Sequence, residues 1–115
     1  MRTHSRKPTL MTAARVHRFG PPDVIQFETI DVPRPAESEV LVEVLAAGVG
    51  PWDAWVRAGK SALPQPLPLT PGSDVCGTVV GVGAAVTSFA AGDIVFGVTN
   101  ARFIGGYAQY AVAAA

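Results

Sequence analysis

The sequence predicts a mainly β domain of the Greek-key or barrel-like kind, partly open, with one or two short helices. Short apolar or alternating stretches recur along the chain, and clusters of glycine and proline separate them. Twelve glycines and ten prolines among 115 residues supply those turns. Strands of this length divided by frequent turns are typical of all-β sandwiches and barrels, and the chain length suits a single domain.

Composition and charge exclude several classes of partner. Hydrophobic residues make up 49% of the chain and charged residues 16%, which indicates a folded domain. The formal net charge is zero, so we expect no nucleic-acid partner. No apolar run is long enough to span a membrane. We therefore expect that the protein does not bind to membranes. The single cysteine, Cys76, excludes an internal disulfide and favours a reducing, cytoplasmic location.

The first third of the chain predicts a pair of strands. Residues 1–10 are polar and aperiodic, which indicates a flexible extension before a domain of residues 11–115. Ala13 to Phe19 is the first predicted strand, and the turn residues 20–23 close it. The second strand runs from Val24 to Val32, and we expect the two to pair antiparallel.

The next stretch predicts a longer strand and the one helix. Glu39 to Val49 alternates, and its two faces carry Val40, Val42 and Val44 on one side and Leu41, Glu43 and Leu45 on the other. The helix begins at Pro51 or Trp52 and ends at Ala58, before Gly59. Asp53 lies in its first turn, where the positive end of a helix favours a carboxylate.

The second half predicts three more strands. Residues 59–70 carry three prolines and are expected to form an extended loop. After a Pro-Gly turn, Val75 to Val82 is an apolar strand, with glycines where another backbone comes close. The Gly92-Asp93 pair predicts a tight turn before the strand Ile94 to Val98. Tyr107 to Val112 is the last predicted strand.

The glycines after the fourth strand look like a dinucleotide fingerprint, but their context argues against one. Gly81-Val82-Gly83 follows an apolar strand, yet the third glycine position holds Val86. A helix starting there would meet Gly92 after fewer than two turns, too short for a crossover between parallel strands. No acidic residue stands about 20 positions further on, where a ribose hydroxyl would need one. A glycine-rich turn explains these residues better.

Other common chemistries also lack their residues. Ser73 has no glycine two positions before it, so the nucleophile-elbow pattern of hydrolases fails. His4 and His17 are far apart and, with Cys76, have no metal-ligand spacing. No metal site is therefore expected, and no paired acids point to a glycosidase.

Four motifs in order nevertheless resemble one known family. They are Gly48-Val49-Gly50-Pro51-Trp52-Asp53, Pro71-Gly72-Ser73-Asp74-Val75-Cys76-Gly77-Thr78-Val79, Phe89-Ala90-Ala91-Gly92-Asp93-Ile94-Val95 and Gly105-Gly106-Tyr107-Ala108-Gln109-Tyr110. Together they resemble the N-terminal GroES-like domain of the medium-chain dehydrogenase/reductase superfamily, the alcohol dehydrogenase-like enzymes. The resemblance covers residues 11–115.

The resemblance also points to a branch of that superfamily. Zinc-dependent members have a cysteine ligand at the position of Gly50 and a histidine ligand at that of Ser73. The chain is therefore similar to the zinc-independent quinone oxidoreductases and enone reductases. That branch implies hydride transfer from NADPH to a quinone or an α,β-unsaturated carbonyl in a dry cleft. Many of its members have asparagine where this chain has Gly50, which leaves only backbone to contact the nicotinamide there.

The resemblance implies two sets of site residues. Cleft candidates for substrate or cofactor are Gly50, Pro51, Trp52, Trp55 and Ser73. Structural positions are Asp53, Gly72, Asp74, Gly77, Gly92 and Asp93. Packing of the helix is the alternative for both tryptophans, and capping of a turn is the alternative for Ser73. Asp74 is expected to bind backbone donors or an arginine, and Cys76 to be a small buried apolar residue.

The cofactor domain of the family is missing from these 115 residues. We therefore expect the chain to be the substrate-side domain of a reductase, truncated before its cofactor domain and inactive alone. The resemblance is compatible with a full-length enzyme that forms a homodimer. Two alternatives remain open: a stand-alone GroES-like binding module, and a truncated gene product without a function of its own.

Overall fold

The computed structural model describes residues 9–63 and 65–115, so most of the predicted N-terminal extension lies outside the described residues. The elements in chain order are the strands β1 (Leu10–Val16), β2 (Ile25–Asp31) and β3 (Glu39–Ala47), the helix α1 (Pro51–Ala58), and the strands β4 (Asp74–Val82), β5 (Ile94–Val98) and β6 (Tyr110–Ala114). A short 3-10 turn, Pro22–Val24, precedes β2. In the described part of the chain, no helix is both long and apolar enough to cross a membrane.

The strands form two antiparallel sheets, and the larger one has Greek-key order. β1 pairs with β2, whereas the second sheet has the order β5-β4-β3-β6. In this sheet β6 returns by a long connection to lie beside β3, which is the Greek-key arrangement. Two isolated bridges, Ala13 to Ala108 and Val16 to Leu69, join β1 to the rest of the domain. The predicted mainly β, partly open architecture is confirmed, because the two sheets do not close into a barrel.

The first strand lies three residues earlier than predicted. β1 begins at Leu10, which pairs with Asp31, and ends at Val16, which pairs with Ile25. Pairing cannot continue through Pro21 and Pro22, because proline has no backbone N–H to donate. Residues 17–24 therefore form the connection between β1 and β2, and the predicted strand from Ala13 to Phe19 is wrong at both ends.

The last strand begins three residues later than predicted. The start of the predicted strand binds other parts of the chain: the backbone N–H of Tyr107 donates to the carbonyl of Pro71, and its own carbonyl accepts from the N–H of Ala14. Pairing with β3 starts where Tyr110 faces Glu43. The prediction of Tyr107 to Val112 failed because alternation alone does not reveal these long-range bonds.

The third strand keeps the alternation predicted for it, because Val40 and Val42 pack in one cluster with Val79, whereas Leu41 lines a separate cavity beside Pro35. Val40, Leu41 and Val42 are all buried. The register against β4 shifts between Leu41 and Val42 and again between Val44 and Ala46. The first shift leaves Val80 of β4 without a partner and the second leaves Leu45 of β3 without one, so the start of β3 keeps an unbroken register with β6. In β4 the alternate residues Val75, Gly77 and Val79 are buried, whereas Val82, at the end of the strand, is 40% exposed.

Two apolar clusters hold the fold together. One joins β1, α1 and the proline-rich loop through Val16, Val24, Val56 and Leu69; the other joins β3 and β4 through Val40, Val42 and Val79. Gly77 allows β4 to approach β3, because a Cβ there would overlap the carbonyl oxygen of Glu43. This close approach was the predicted reason for glycine in the strand.

The glycine pair lies at the end of β4, where Gly81 belongs to the strand and Gly83 directly follows it. A Cβ on Gly83 would overlap the carbonyl oxygen of Ala36, and the Gly83 N–H donates to Glu39. No helix lies between β4 and β5, a segment that the structure describes throughout. Gly81 is therefore paired within the sheet and Gly83 packs against the loop before β3, which agrees with the argument against a phosphate-binding fingerprint.

Candidate functional site

The candidate site lies where the N-terminus of α1 meets the segment that enters β4. Gly50 is the residue before α1, and its backbone is extended. Ser73 comes directly before β4. Trp52 connects the two segments, because its indole Nε1–H donates a hydrogen bond of 2.6 Å to Ser73 Oγ. The structure thus brings together Gly50, Trp52 and Ser73, which the sequence named as cleft candidates.

Ser73 is held inside the domain. Its side chain is 1% exposed, and its backbone carbonyl accepts from the N–H of Thr99. The hydroxyl accepts the indole proton of Trp52, so its oxygen has a protein partner. The expected roles of Ser73 were contact with substrate or cofactor and capping of a turn. The structure adds another role, because Ser73 anchors the indole ring of Trp52 at the surface of the site.

The ring of Trp52 covers Gly50. A Cβ placed on Gly50 would overlap Cζ2 of the indole and would lie 2.5 Å from its Cε2 and 2.8 Å from its Cη2. No side chain fits at position 50 while the indole is in this position. Because Trp52 is 40% exposed, one part of the ring remains open to solvent.

Asp53 links the start of α1 to a distant tyrosine. It is 5% exposed, and its Oδ2 accepts hydrogen bonds of 2.9 Å from the Gly50 N–H and from the Tyr107 hydroxyl. The predicted interaction of Asp53 with the helix N-terminus is confirmed. Its Oδ1 is buried and has no hydrogen-bond partner among the described residues.

Tyr107 is the site residue that sequence reasoning missed. A Cβ on Gly72 would overlap its ring, and the Gly106 N–H donates to the Gly72 carbonyl at 2.8 Å. Burial raises the pKa of the Tyr107 hydroxyl well above its ordinary value, and the carboxylates of Asp53 and Asp74 raise it further. The motif Gly106-Tyr107 is the available signal, although its alternation with the following residues predicts the start of a strand.

Three other predicted residues surround this centre. Pro51 is the first residue of α1. Trp55 is 55% exposed, so it does not pin the helix to the sheets; the buried Val56 does. Asp74 starts β4 beside Gly48, whose N–H donates to the Asp74 carbonyl at 2.8 Å. The hydrogen bonds expected for the Asp74 side chain stay a prediction.

The remaining named residues lie elsewhere. Gly77 is in the middle of β4, and Gly92 and Asp93 form the turn before β5, where Asp93 Oδ2 accepts from the Ala90 N–H at 2.9 Å. Cys76 is partly exposed and lines a shallow cavity of about 380 Å³ together with Phe96. The prediction that Cys76 is buried is wrong, because alternation along β4 turns it to the opposite face from Val75 and Gly77.

The donor set at the site does not suit a transition metal. Gly50 has no side chain, and the Ser73 hydroxyl is bonded to the indole. Within residues 9–63 and 65–115, no three His, Cys, Asp or Glu side chains lie close enough to hold a metal ion together. A neutral serine hydroxyl is also a poor zinc ligand compared with thiolate, imidazole or carboxylate.

Comparison with known proteins gives both family and fold. Residues 36–115 match the model of the alcohol dehydrogenase GroES-like domain. The chain is 45% identical over 106 residues to a quinone oxidoreductase of Sus scrofa, covering 91% of this chain and 32% of that protein. It is 40% identical over 105 residues to a chloroplastic NADPH-dependent alkenal/one oxidoreductase of Arabidopsis thaliana, covering 90% of this chain and 27% of that protein.

A solved structure agrees with these relatives. The quinone oxidoreductase of Escherichia coli complexed with NADPH superposes with a TM-score of 0.81 at 31% identity, covering 90% of this chain and 31% of that chain. The chain spans about one third of the length of the curated relatives that it matches first. The predicted family and branch are confirmed: the chain belongs to the alcohol dehydrogenase GroES-like domain family, within its quinone oxidoreductase branch.

Proposed function

We propose that this chain is the substrate-side domain, residues 11–115, of a zinc-independent oxidoreductase that uses NADPH to reduce a quinone or an α,β-unsaturated carbonyl. The observation that carries the proposal is the similarity to quinone oxidoreductases over 91% of the chain. The donor set agrees with it, since Gly50 and Ser73 stand where zinc-dependent relatives are expected to have ligands. We expect the protein to work in a reducing cytoplasm.

The described residues suit the nicotinamide end of NADPH and not its phosphates. NADPH would supply a hydride to the substrate when bound. Gly81 is paired with Leu41 of β3 and Gly83 is packed against the loop before β3, so neither presents a phosphate-binding cradle. The part of this chain suited to a flat nicotinamide ring is the surface around Gly50 and the two tryptophans. We therefore propose that the dinucleotide phosphates would be bound outside this chain.

Within the site, the chain's own residues would position the substrate and exclude water. Val49, Trp52 and Trp55 are large apolar side chains exposed at or beside the start of α1. A substrate or further protein covering them would leave the reacting carbonyl in an apolar environment, where hydrogen bonds and dipoles act more strongly. Asp53 and Tyr107 keep the N-terminus of α1 in place beneath these side chains.

A chimeric enzyme tests the proposal. This chain would replace the matching third of the quinone oxidoreductase of Sus scrofa, and NADPH oxidation would be followed with a naphthoquinone. We expect quinone-dependent turnover from the chimera and none from the 115-residue chain alone. The same relative without its matching third serves as the control and should be inactive.

Two outcomes would contradict the proposal. A chimera that folds and binds NADPH but does not reduce the quinone would exclude this chain as the substrate-side domain. Turnover by the isolated chain would show that it needs no further domain. Circular dichroism and the NADPH fluorescence of the chimera separate a loss of activity from a loss of folding.

A further inference from the structure

The position of the Trp52 ring indicates more than packing of a short helix. The indole occupies the space into which a side chain at position 50 would extend. The backbone at Gly50 is extended, so a larger residue would be tolerated there if the indole were absent. Glycine at position 50 and tryptophan at position 52 therefore form a sterically matched pair, in which one residue makes room for the other.

The indole of Trp52 is held by a hydrogen bond along one edge, and part of the ring is exposed to solvent. Its Nε1–H is bonded to Ser73, which is 1% exposed, whereas Trp52 itself is 40% exposed. A buried hydroxyl holding an exposed ring restricts rotation of that ring about its side-chain bonds. An aromatic ring held in this way loses little conformational entropy when a ligand packs against it.

The backbone beneath the ring is also held. Asp53, the next residue, accepts from the Gly50 N–H and from the Tyr107 hydroxyl. The start of α1 is thus bonded to a segment more than fifty residues away. The ring, its anchor and its supporting backbone are thus held by hydrogen bonds within the chain itself.

We propose that Trp52 is a specificity-determining residue, a preformed aromatic wall that selects flat conjugated rings such as quinones over aliphatic enones. This inference rests on the proposed function and names the substrate class of the same site. An electron-rich indole face pairs well with an electron-poor quinone ring in an offset stack. An aliphatic enone has no ring face of that kind and gains only apolar contact.

Ligand binding to the 115-residue chain tests the inference without requiring turnover. The indole N–H signals of Trp52 and Trp55 are separate probes in nitrogen-edited NMR spectra, and Trp55→Phe assigns them. Anthraquinone sulfonate is the flat probe, since its quinone carbons are fully substituted and do not alkylate Cys76. Isophorone, a hindered aliphatic enone, is the comparison ligand.

We expect Trp52→Leu to weaken binding of anthraquinone sulfonate by about three- to tenfold, the range expected for one aromatic stack. Isophorone binding should change less than twofold. Phe27→Leu is the matched control, because Phe27 is an exposed aromatic residue on β2, outside the site. It should change neither affinity.

Two further variants test the anchor and the matched pair. Ser73→Ala keeps the indole but removes its hydrogen bond, so the Trp52 N–H signal should move toward the position of a solvated indole and selectivity should fall. Gly50→Ala places a Cβ against the indole and should displace the ring with the same effect. Amide spectra of each variant establish that the domain remains folded.

The results separate this inference from the proposed function. Equal weakening of both ligands by Trp52→Leu, or no weakening, would overturn the role of Trp52. Failure of anthraquinone sulfonate to shift the Trp52 signal of the unaltered chain would overturn it as well. A reductase chimera that works, but whose preference between the two substrates is unchanged by Trp52→Leu, would overturn the inference alone. An inactive chimera with selective binding at Trp52 would contradict only the reductase proposal.

Discussion

Tyr107 and Asp53 form a pair that neither residue reveals by itself. The carboxylate is expected at the start of a helix, and the tyrosine stands in a stretch that resembles a strand. Their bond of 2.9 Å joins the helix to the segment before β6, across 54 positions of sequence. At the scale of single residues, this contact fixes the N-terminus of α1 on which the candidate site is built.

Removing the tyrosine hydroxyl should destabilise the domain. Tyr107→Phe deletes a hydrogen bond to a carboxylate and leaves the buried Asp53 with one donor fewer, so we expect a loss of about 1 to 2 kcal/mol in the free energy of unfolding. Urea denaturation followed by circular dichroism measures it. Tyr110→Phe is the control, because its hydroxyl lies 3.4 Å from Glu43 at an exposed site and should matter by less than about 0.5 kcal/mol. Equal losses in the two variants would contradict the assigned bond.

The same pair predicts a loss of stability in alkali. The pKa of Tyr107 is raised in the folded chain, by burial first and then by Asp53, so above a pH of about 10 the unfolded state releases a proton that the folded state retains. The stabilisation is complete below pH 10 and falls as pH rises through the folded pKa. Burial and Glu43 also raise the pKa of Tyr110. Urea midpoints between about pH 9 and 11 should fall less steeply in Tyr107→Phe, and parallel slopes would refute the assignment.

At the scale of elements, α1 is held by two different interactions. Val56 packs into the apolar cluster with Val16 and Leu69, while Asp53 satisfies the backbone at the start of the helix. Eight residues are too few for a helix to be stable in water on propensity alone. The helix therefore depends on these contacts, and its position depends on both.

Replacing the capping carboxylate should have a larger effect than replacing a comparable surface acid. Asp53→Ala removes the acceptor of the Gly50 N–H and leaves the Tyr107 hydroxyl without its partner, so a loss of about 2 kcal/mol is expected. Asp23→Ala, in the exposed 3-10 turn before β2, should cost less than about 0.5 kcal/mol. Thermal and urea unfolding of both variants provide the comparison. The role of Asp53 as a cap would be refuted by losses of similar size.

The pairing of β3 with β4 leaves no room for a side chain at position 77. Gly77→Ala would push a Cβ into the carbonyl oxygen of Glu43, a backbone atom that cannot move without breaking the ladder. We expect a loss of more than about 3 kcal/mol or failure to fold, measured by urea unfolding. Thr78→Ala, the next residue in the same strand, is the control and should cost about 1 kcal/mol or less. A well-folded Gly77→Ala variant would mean that the strands lie further apart.

At the scale of the whole molecule, β5 is an edge strand with an exposed apolar side. It lies at one end of the sheet order, and Ile94, Phe96 and Val98 are exposed, Phe96 at 88%. Edge strands with apolar side chains favour pairing with other chains. We expect the isolated chain to self-associate through this edge at high concentration.

A charged substitution tests that expectation. Phe96→Lys should reduce self-association in sedimentation velocity measurements while changing the free energy of unfolding by less than about 0.5 kcal/mol. Thr29→Lys, an exposed polar position in β2, should leave self-association unchanged. Association that persists in Phe96→Lys would place the contact on another surface.

Much of the fold was predictable because its signals are local. The helix from Pro51 to Ala58, the turn at Gly92-Asp93 and the apolar strand β4 follow from residues that lie next to one another in the chain. The errors at β1 and β6 have a common cause. Proline positions and long-range backbone hydrogen bonds decide where strand pairing begins and ends. The alternation of apolar and polar side chains does not depend on either, so it cannot predict these limits.

The sequence by itself determined the fold class, the family motifs and the residue types at the candidate site, including the glycine at position 50 and the serine at position 73. Only the tertiary structure decided how those residues are used. It laid the Trp52 indole over Gly50, engaged the Ser73 hydroxyl and bonded Tyr107 to Asp53. The reason is physical: local propensity depends on neighbours along the chain, whereas contacts among these residues depend on strand register and on packing between segments 21 and 54 positions apart.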